Sequence, residues 1–155
     1  MKNSLYGALF IIFTTACQLH SHQEIPKKTP PAIQGTWKLI SGTLIENGDT
    51  SVTDYTKNLS FIKIINDTHF AFLSHDLHQG KGADSAFSAG GGTCRLVDSL
   101  YTEWLEYCSD RQWEGNDFSF VIAIHNDTLT QIGVEKVSKV GINRLNIEKY
   151  YRLQN

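Results

Sequence analysis

Proline is scarce in this chain of 155 residues and is confined to one short segment. All three prolines lie within residues 26–31, and none follows. Proline cannot donate a ladder hydrogen bond, so a long proline-free segment is compatible with a continuous β-sheet. Long apolar runs are also missing. The longest, residues 5–16, falls short of the roughly 20 apolar residues that cross a bilayer, so the sequence predicts no permanent transmembrane helix.

Excess charge of either sign is lacking too. The chain has 14 Lys and Arg against 16 Asp and Glu, a formal net charge of −2. Without residues 1–16, which include Lys2 but no acidic residue, the net charge is −3. No basic cluster with interleaved aromatic residues is present, so we expect no nucleic-acid binding.

The first sixteen residues are typical of an export signal, with Lys2 ahead of the apolar run 5–16. The segment FTTAC at residues 13–17 resembles the bacterial lipobox, in which the cysteine receives fatty acyl chains such as palmitate. Thr14 stands where that motif usually has leucine. The resemblance implies that Cys17 is the lipid attachment site. The alternative is an ordinary signal peptide followed by an incidental free cysteine.

Residues 17–32 have the composition of a linker, with all three prolines and few large apolar residues. The segment 18–23 carries no acidic run, which favours the periplasmic face of an outer membrane over surface display. We therefore expect a folded domain, residues 33–155, tethered to the bacterial cell envelope by its lipid alone.

Within this domain the apolar residues recur with a period of two, which indicates β-strands. Asn66-Asp67-Thr68 and Asn126-Asp127-Thr128 are turn signals of tight hairpins. Short links imply that neighbours in sequence are neighbours in space, so we predict an all-β, eight-stranded, antiparallel up-and-down barrel. Residues 137–143 could form a loop or a helical turn. The predicted strands are residues 35–46, 57–66, 68–75, 85–97, 100–108, 117–125, 128–135 and 144–153.

Gly35-Thr36-Trp37 opens the first predicted strand, and Tyr150-Tyr151-Arg152 closes the last. This pairing resembles the lipocalins and the wider calycin group. The longer patterns at residues 35–49 and 89–108 resemble the lipocalin-like lipoproteins of Bacteroidetes-type bacteria. The resemblance implies that Trp37 and Arg152 close one end of the barrel, with the guanidinium stacked on the indole. The alternative is that Trp37 contacts a ligand.

Cys94 and Cys108 are the remaining two of three cysteines. A two-residue turn at Asp98-Ser99 places Cys94 opposite Glu103. Cys108 then lies roughly 17 Å further along its strand, whereas a disulfide needs Cα atoms within about 7 Å. We predict two free thiols, unless a bulge within residues 89–93 shifts the register.

The face of the strand at residues 100–108 is ambiguous, because both faces carry an aromatic residue and a glutamate. We predict that Tyr101, Glu103 and Tyr107 face the interior. In the alternative, Trp104 and Glu106 do so. A buried carboxylate needs a partner or a ligand, so Glu103 is informative. The predicted ligand-lining residues are Phe70, Phe72, Tyr101, Glu103, Tyr107, Phe118 and Phe120.

The sequence gives no sign of a metal site, a cofactor or a catalytic centre. His75-Asp76-Leu77-His78 lacks defined third and fourth metal ligands. No Ser-His-Asp order and no phosphate-binding glycine loop is present. We therefore expect a protein that is not an enzyme.

Two functions remain open. The first is binding or carrying a small apolar or amphipathic ligand in the barrel, at the membrane of the cell envelope. The second is an interaction or inhibitor protein whose barrel is filled and whose loops make the contacts. The sequence identifies neither the ligand nor the oligomeric state.

Overall fold

The computed structural model describes residues 32–83 and 85–154. The predicted signal segment, the Cys17 attachment site and nearly all of the linker lie outside the described residues. The described part is all-β, with two single 3₁₀ turns, and contains no helix long and apolar enough to cross a membrane. The strands are β1 (Gly35–Glu46), β2 (Asp49–Asp54), β3 (Leu59–Ile65), β4 (His69–Asp76), β5 (Phe87–Val97), β6 (Leu100–Cys108), β7 (Asn116–His125), β8 (Thr128–Val137) and β9 (Ile142–Leu153).

Eight of the strands close into a barrel. From β3 to β9 each strand pairs antiparallel with the next. β1 closes the ring, because its first residues pair with β3 and its other edge pairs with β9 along nearly its whole length. The predicted eight-stranded antiparallel up-and-down barrel is confirmed, and it is compatible with a lipocalin-like fold.

The ninth strand, β2, was not predicted. It pairs with the second half of β1, Ser41–Glu46, beyond the point where β1 leaves β3. All six of its residues are exposed. The segment DTSVTD therefore has no buried face, and it carries no apolar alternation from which a strand could be predicted.

The connections follow the expected turn chemistry. Asn47, Asp98 and Asn126 have positive φ angles of 52°, 55° and 53°, a conformation that Asn and Asp tolerate best among residues with side chains. Between β8 and β9 a 3₁₀ turn, Ser138–Val140, ends at Gly141 with φ 72°. Residues 137–143, for which the sequence left either a loop or a helical turn open, thus contain a helical turn.

A β-bulge between β5 and β6 changes which face of β6 is inside. Gly91 pairs with Tyr107 but Gly92 pairs with Leu105, so Glu106 is an extra residue on β6. A Cβ atom at Gly92 would collide with the backbone carbonyl of Trp104, so the close approach requires glycine. The extra residue inverts the alternation beyond it. Tyr107 is 69% exposed on the outside, and the prediction that it faces the interior is wrong.

Trp37 and Arg152 lie together at one end of the barrel. Trp37 is fully buried, and its Nε1 donates a hydrogen bond to the carbonyl of Ile33 at 2.7 Å. The Arg152 Cζ lies 4.0 Å from the centre of the indole ring. Its Nη1 donates to the carbonyl of Gln34 at 2.7 Å. The guanidinium thus covers the indole and binds the chain that enters β1.

Candidate functional site: a cavity inside the barrel

The barrel holds a cavity of about 330 Å³ that is partly open to solvent and is not lined by Trp37. Apolar residues form its aromatic wall and polar residues form its polar floor. The 3₁₀ turn Arg111–Trp113, between β6 and β7, brings Trp113 to the cavity. We define the aromatic wall as Phe61, Phe70, Phe72, Trp113, Phe118 and Phe120, and the polar floor as Lys63, Glu103, Gln131, Glu135, Glu148 and Tyr150.

The structure brings five of the seven predicted ligand-lining residues to this cavity. Phe70, Phe72, Glu103, Phe118 and Phe120 all line it. Tyr101 is buried on the same inward face of β6 but does not line the cavity, and Tyr107 points outward. Glu103 is 5% exposed, whereas the alternative inward residue Trp104 is 40% exposed.

Lys63 on β3 is the partner of Glu103. Its Nζ lies 2.6 Å from Glu103 Oε1 and donates a hydrogen bond to Gln131 Oε1 at 3.3 Å. Burial by itself lowers the pKa of the Lys63 ammonium, but the charges of Glu103 and Glu148 outweigh it, so the pKa is raised. Lys63 is therefore a cation, and it is not available as a nucleophile.

Four aromatic rings surround the Lys63 ammonium. Their centres lie 5.5–5.9 Å from Nζ, within the range of cation–π attraction. These contacts and the ion pair fix the ammonium at the base of the cavity. The rings belong to Phe70, Tyr101, Phe120 and Tyr150.

Glu148 on β9 has a different environment. Its Oε2 accepts hydrogen bonds from Gln131 Nε2 at 2.6 Å and from the Tyr150 hydroxyl at 2.9 Å. Among the described residues, Oε1 accepts no hydrogen bond and no cation forms a salt bridge with the carboxylate. Burial is the main cause that raises the pKa of Glu148, and the positive charge of Lys63 offsets it only in part.

Glu135, another carboxylate of the polar floor, has a partner for each of its two oxygens. Its Oε2 lies 2.7 Å from Arg144 Nε, and its Oε1 accepts a hydrogen bond from Asn146 Nδ2 at 2.7 Å. The Arg144 guanidinium also lies 5.3 Å from the centre of the Trp113 ring. Glu135 thus holds Arg144 in place, and Arg144 supports the aromatic residue beside the cavity.

The His75-Asp76 segment has a structural role at the end of β4. The Asp76 carboxylate accepts hydrogen bonds from the backbone N–H groups of His78, Gly80 and Ala86 at 2.8–3.2 Å. These bonds, the one from Ala86 first, lower the pKa of Asp76. The carboxylate therefore closes the loop between β4 and β5. The described residues contain no group of three or more His, Cys, Asp or Glu side chains placed to bind a metal ion.

The two cysteines of the barrel are free thiols. Cys94 lies opposite Glu103, as the turn at Asp98-Ser99 predicted. Cys108 lies beyond the bulge and lines the cavity. Burial raises the pKa of both thiols, which makes them poor nucleophiles at neutral pH.

Sequence reasoning missed Lys63 and Glu148 as parts of the site. A signal for each was present in the alternation. Lys63 lies two residues from both Phe61 and Ile65, which places it on the inward face of β3, and Glu148 shares the face of Asn146 and Tyr150. A charged residue at an inward position of a barrel strand indicates a buried partner across the interior.

No protein-family model matches this chain, and no curated protein matches it in sequence.

Proposed function

We propose that this protein is a lipocalin-like lipoprotein of the bacterial envelope that binds a small amphipathic molecule inside its barrel. One observation carries the proposal: the barrel holds a partly open cavity of about 330 Å³ with an aromatic wall and a polar floor. Ligand sites in proteins occupy roughly 300–1,000 Å³ and combine apolar lining with a few fixed polar groups. The cavity lies at the small end of this range, which suits a compact ligand.

The two parts of the cavity have separate tasks in binding. The aromatic wall removes the apolar body of a ligand from water, which is the main source of affinity. The hydrogen bonds and ion pairs of the polar floor hold its groups in fixed positions, so they orient the polar end without a large entropic cost on binding.

The test is a pair of substitutions at adjacent residues on opposite faces of β5. Ser88 lines the cavity, whereas Phe87 is 71% exposed. Ser88→Trp should occupy part of the cavity and abolish the binding of a small amphipathic molecule, while Phe87→Trp should leave binding unchanged. Native mass spectrometry of the mature protein reports the bound molecule. Repeated recovery of empty wild-type protein, or equal binding by both variants, would contradict the proposal.

The membrane anchor is a second part of the proposal. The lipobox-like segment 13–17 supports lipidation of Cys17, and the proline-rich residues that follow suit a spacer that keeps the barrel off the membrane, on the periplasmic side of the outer membrane. We expect Cys17→Ala to move the protein from the membrane fraction to the soluble fraction. Cys108→Ala, a cysteine change within the barrel, should leave it in the membrane. A Cys17→Ala protein that stays with the membrane would refute the anchor.

One observation favours the second candidate function, an envelope interaction protein. Leu100, Val121 and Ile132 are paired across β6, β7 and β8, and they are 48%, 57% and 41% exposed on the outer surface. Such an apolar row can contact another protein. The two functions differ in whether a ligand occupies the cavity, because an interaction protein does not need to bind a molecule there. The comparison of ligand binding by Ser88→Trp and Phe87→Trp therefore separates them.

A further inference from the structure

We propose that the cavity selects ligands with a positively charged amine, and that Glu148 is the residue that pairs with the ammonium group. This inference rests on the proposed function, because it names the chemical class of the ligand in that same cavity. It follows from which charges of the polar floor are neutralised within the protein and which are not.

Buried Lys63 and partly buried Arg144 each have a carboxylate partner. Lys63 pairs with Glu103 at 2.6 Å, and Arg144 pairs with Glu135 at 2.7 Å. Glu148 is the third carboxylate of the polar floor, and no described cation forms a salt bridge with it. With Arg144 counted although it lies outside the floor, two cations face three carboxylates, so one negative charge is unmatched when all three are ionised. The exposed Asp110, which also lines the cavity, adds a further negative charge. Glu148 is partly buried. An unpaired charge that has lost part of its contact with water is costly, and a ligand cation would compensate it.

Within the described part of the chain, two carboxylate oxygens of the floor are free acceptors, whereas Lys63 has a single N–H donor left after its contacts with Glu103 and Gln131. Glu148 Oε2 is occupied, but Oε1 accepts no hydrogen bond from the described residues. Glu103, 5% exposed and lining the cavity, uses Oε1 for Lys63, and its Oε2 likewise accepts none from them. An ammonium group has up to three donors and no acceptor, which matches these free oxygens.

A ligand carboxylate fits the same floor poorly. Lys63 is the only cation that lines the cavity among the described residues, and its ammonium is already bound to Glu103 and Gln131. An incoming carboxylate would have to share the Lys63 ammonium with Glu103, or lie beside Glu148, and in both positions it meets a like charge. Both arrangements cost free energy in a site of low dielectric constant.

The aromatic wall suits an amine with an apolar body. Phe61 and Phe72 are stacked with ring centres 5.7 Å apart, and Trp113 and Phe118 lie with theirs 5.9 Å apart. These rings offer apolar contact to an alkyl or aryl chain. Their faces also attract the positive end as it enters.

Binding of an ammonium should release a proton. Burial raises the pKa of Glu148 in the free protein, so the carboxyl retains its proton to a higher pH than usual. The charged and titratable groups around it are Lys63 on β3, Glu103 on β6, Glu135 on β8, Arg144 and Tyr150 on β9, and Tyr55. An ammonium favours the ionised form of Glu148, so the affinity for amines should rise with pH through this titration.

The experiment compares octylamine, octanol and octanoic acid, which share one chain length, by isothermal titration calorimetry with the mature protein. We expect octylamine to bind about tenfold or more tightly than octanol, the size of one buried charge-assisted hydrogen bond, and octanoic acid to bind most weakly. Octylamine binding should release protons, seen as a heat that depends on the ionisation enthalpy of the buffer.

Glu148→Gln tests the residue. The amide oxygen can still accept from Gln131 and Tyr150, so the fold is retained while the charge is lost, and the preference for octylamine over octanol should disappear. Asp117→Asn removes an exposed carboxylate outside the cavity and should keep the preference. Because the pKa of Glu148 is raised, its ionisation above pH 4.5 costs stability, so Glu148→Gln should also raise the melting temperature at neutral pH. A residue with only a structural role would lower it.

The outcomes separate this inference from the proposed function. If octanol binds as tightly as octylamine and both are lost in Ser88→Trp, the cavity binds ligands but the charge selection is overturned. Charge selection is likewise overturned if octanoic acid binds most tightly, or if Glu148→Gln keeps the amine preference. If none of the three probes binds and the purified protein carries no molecule, both proposals fail. If Glu148→Gln does not fold, the inference is tested by two measurements on the wild-type protein. These are the order of its affinities for the three probes and the proton release when octylamine binds.

Discussion

Replacing Lys63 with methionine is expected to lower the free energy of unfolding by about 3–5 kcal/mol, the cost of leaving one partner of a buried ion pair without the other. Lys63 and Glu103 are 3% and 5% exposed, and their charged atoms lie 2.6 Å apart. Methionine has a similar length and is apolar, so it fits among the aromatic rings around Nζ. The loss thus comes from the stranded carboxylate and not from a cavity.

Urea unfolding of the wild type, Lys63→Met, Glu103→Gln and the double variant measures this effect. The double variant should recover most of the stability lost in Lys63→Met, because it removes the unpaired charge. Lys149→Met, at an exposed position on β9, should change stability by less than about 0.5 kcal/mol. A Lys63→Met protein as stable as wild type would contradict the predicted loss. A double variant no more stable than Lys63→Met would show that the unpaired Glu103 carboxylate is not the cause of the loss.

The buried ion pair has a consequence for function as well as for stability. A barrel of this size could be filled with apolar side chains, which often stabilise a protein as well as an ion pair does. Here the pair instead occupies Lys63, the cation that would otherwise attract a ligand carboxylate. Lys63 also donates to Gln131 Oε1, while Gln131 Nε2 donates to Glu148. In the amine-selective cavity proposed above, the pair would therefore act on the charge preference by occupying Lys63.

Most of the fold could be predicted from the sequence, because its signals are local. The period of two indicated β3, β4, β6, β7 and β9, and the turns at Asp98 and Asn126 indicated the hairpins. The exposed strand β2 could not be predicted, since a strand without a buried face lacks apolar alternation.

The candidate site was predictable only in part, because its details depend on contacts between distant residues. The aromatic positions follow from the inward face of each strand. Tyr107 does not, since one extra residue at Glu106 inverts the alternation, and a bulge depends on how the glycines of β5 meet β6. The pairing of Lys63 with Glu103 likewise spans the barrel, and no local pattern specifies which buried charges meet.

Trp37→Ala is expected to have the second large effect, a loss of about 3–5 kcal/mol of unfolding free energy. The indole is fully buried, donates to the carbonyl of Ile33 and lies under the Arg152 guanidinium. Its removal leaves a void at that end of the barrel and deprives the guanidinium of its stacking surface. Trp104→Ala is the matched control, because this indole is 40% exposed on the outer surface and its loss should cost far less.

Thermal and urea unfolding measure the stability of both variants, and ligand titration separates the two interpretations of Trp37. The indole does not line the cavity. A Trp37→Ala protein kept folded at low temperature should therefore bind the amphipathic probe within about twofold of wild type, while its stability falls. A large loss of affinity with little loss of stability would instead make Trp37 a ligand contact. Arg152→Met tests the same closure from the other side: it keeps an apolar chain over the indole but loses the hydrogen bond to Gln34, so it should destabilise less than Trp37→Ala.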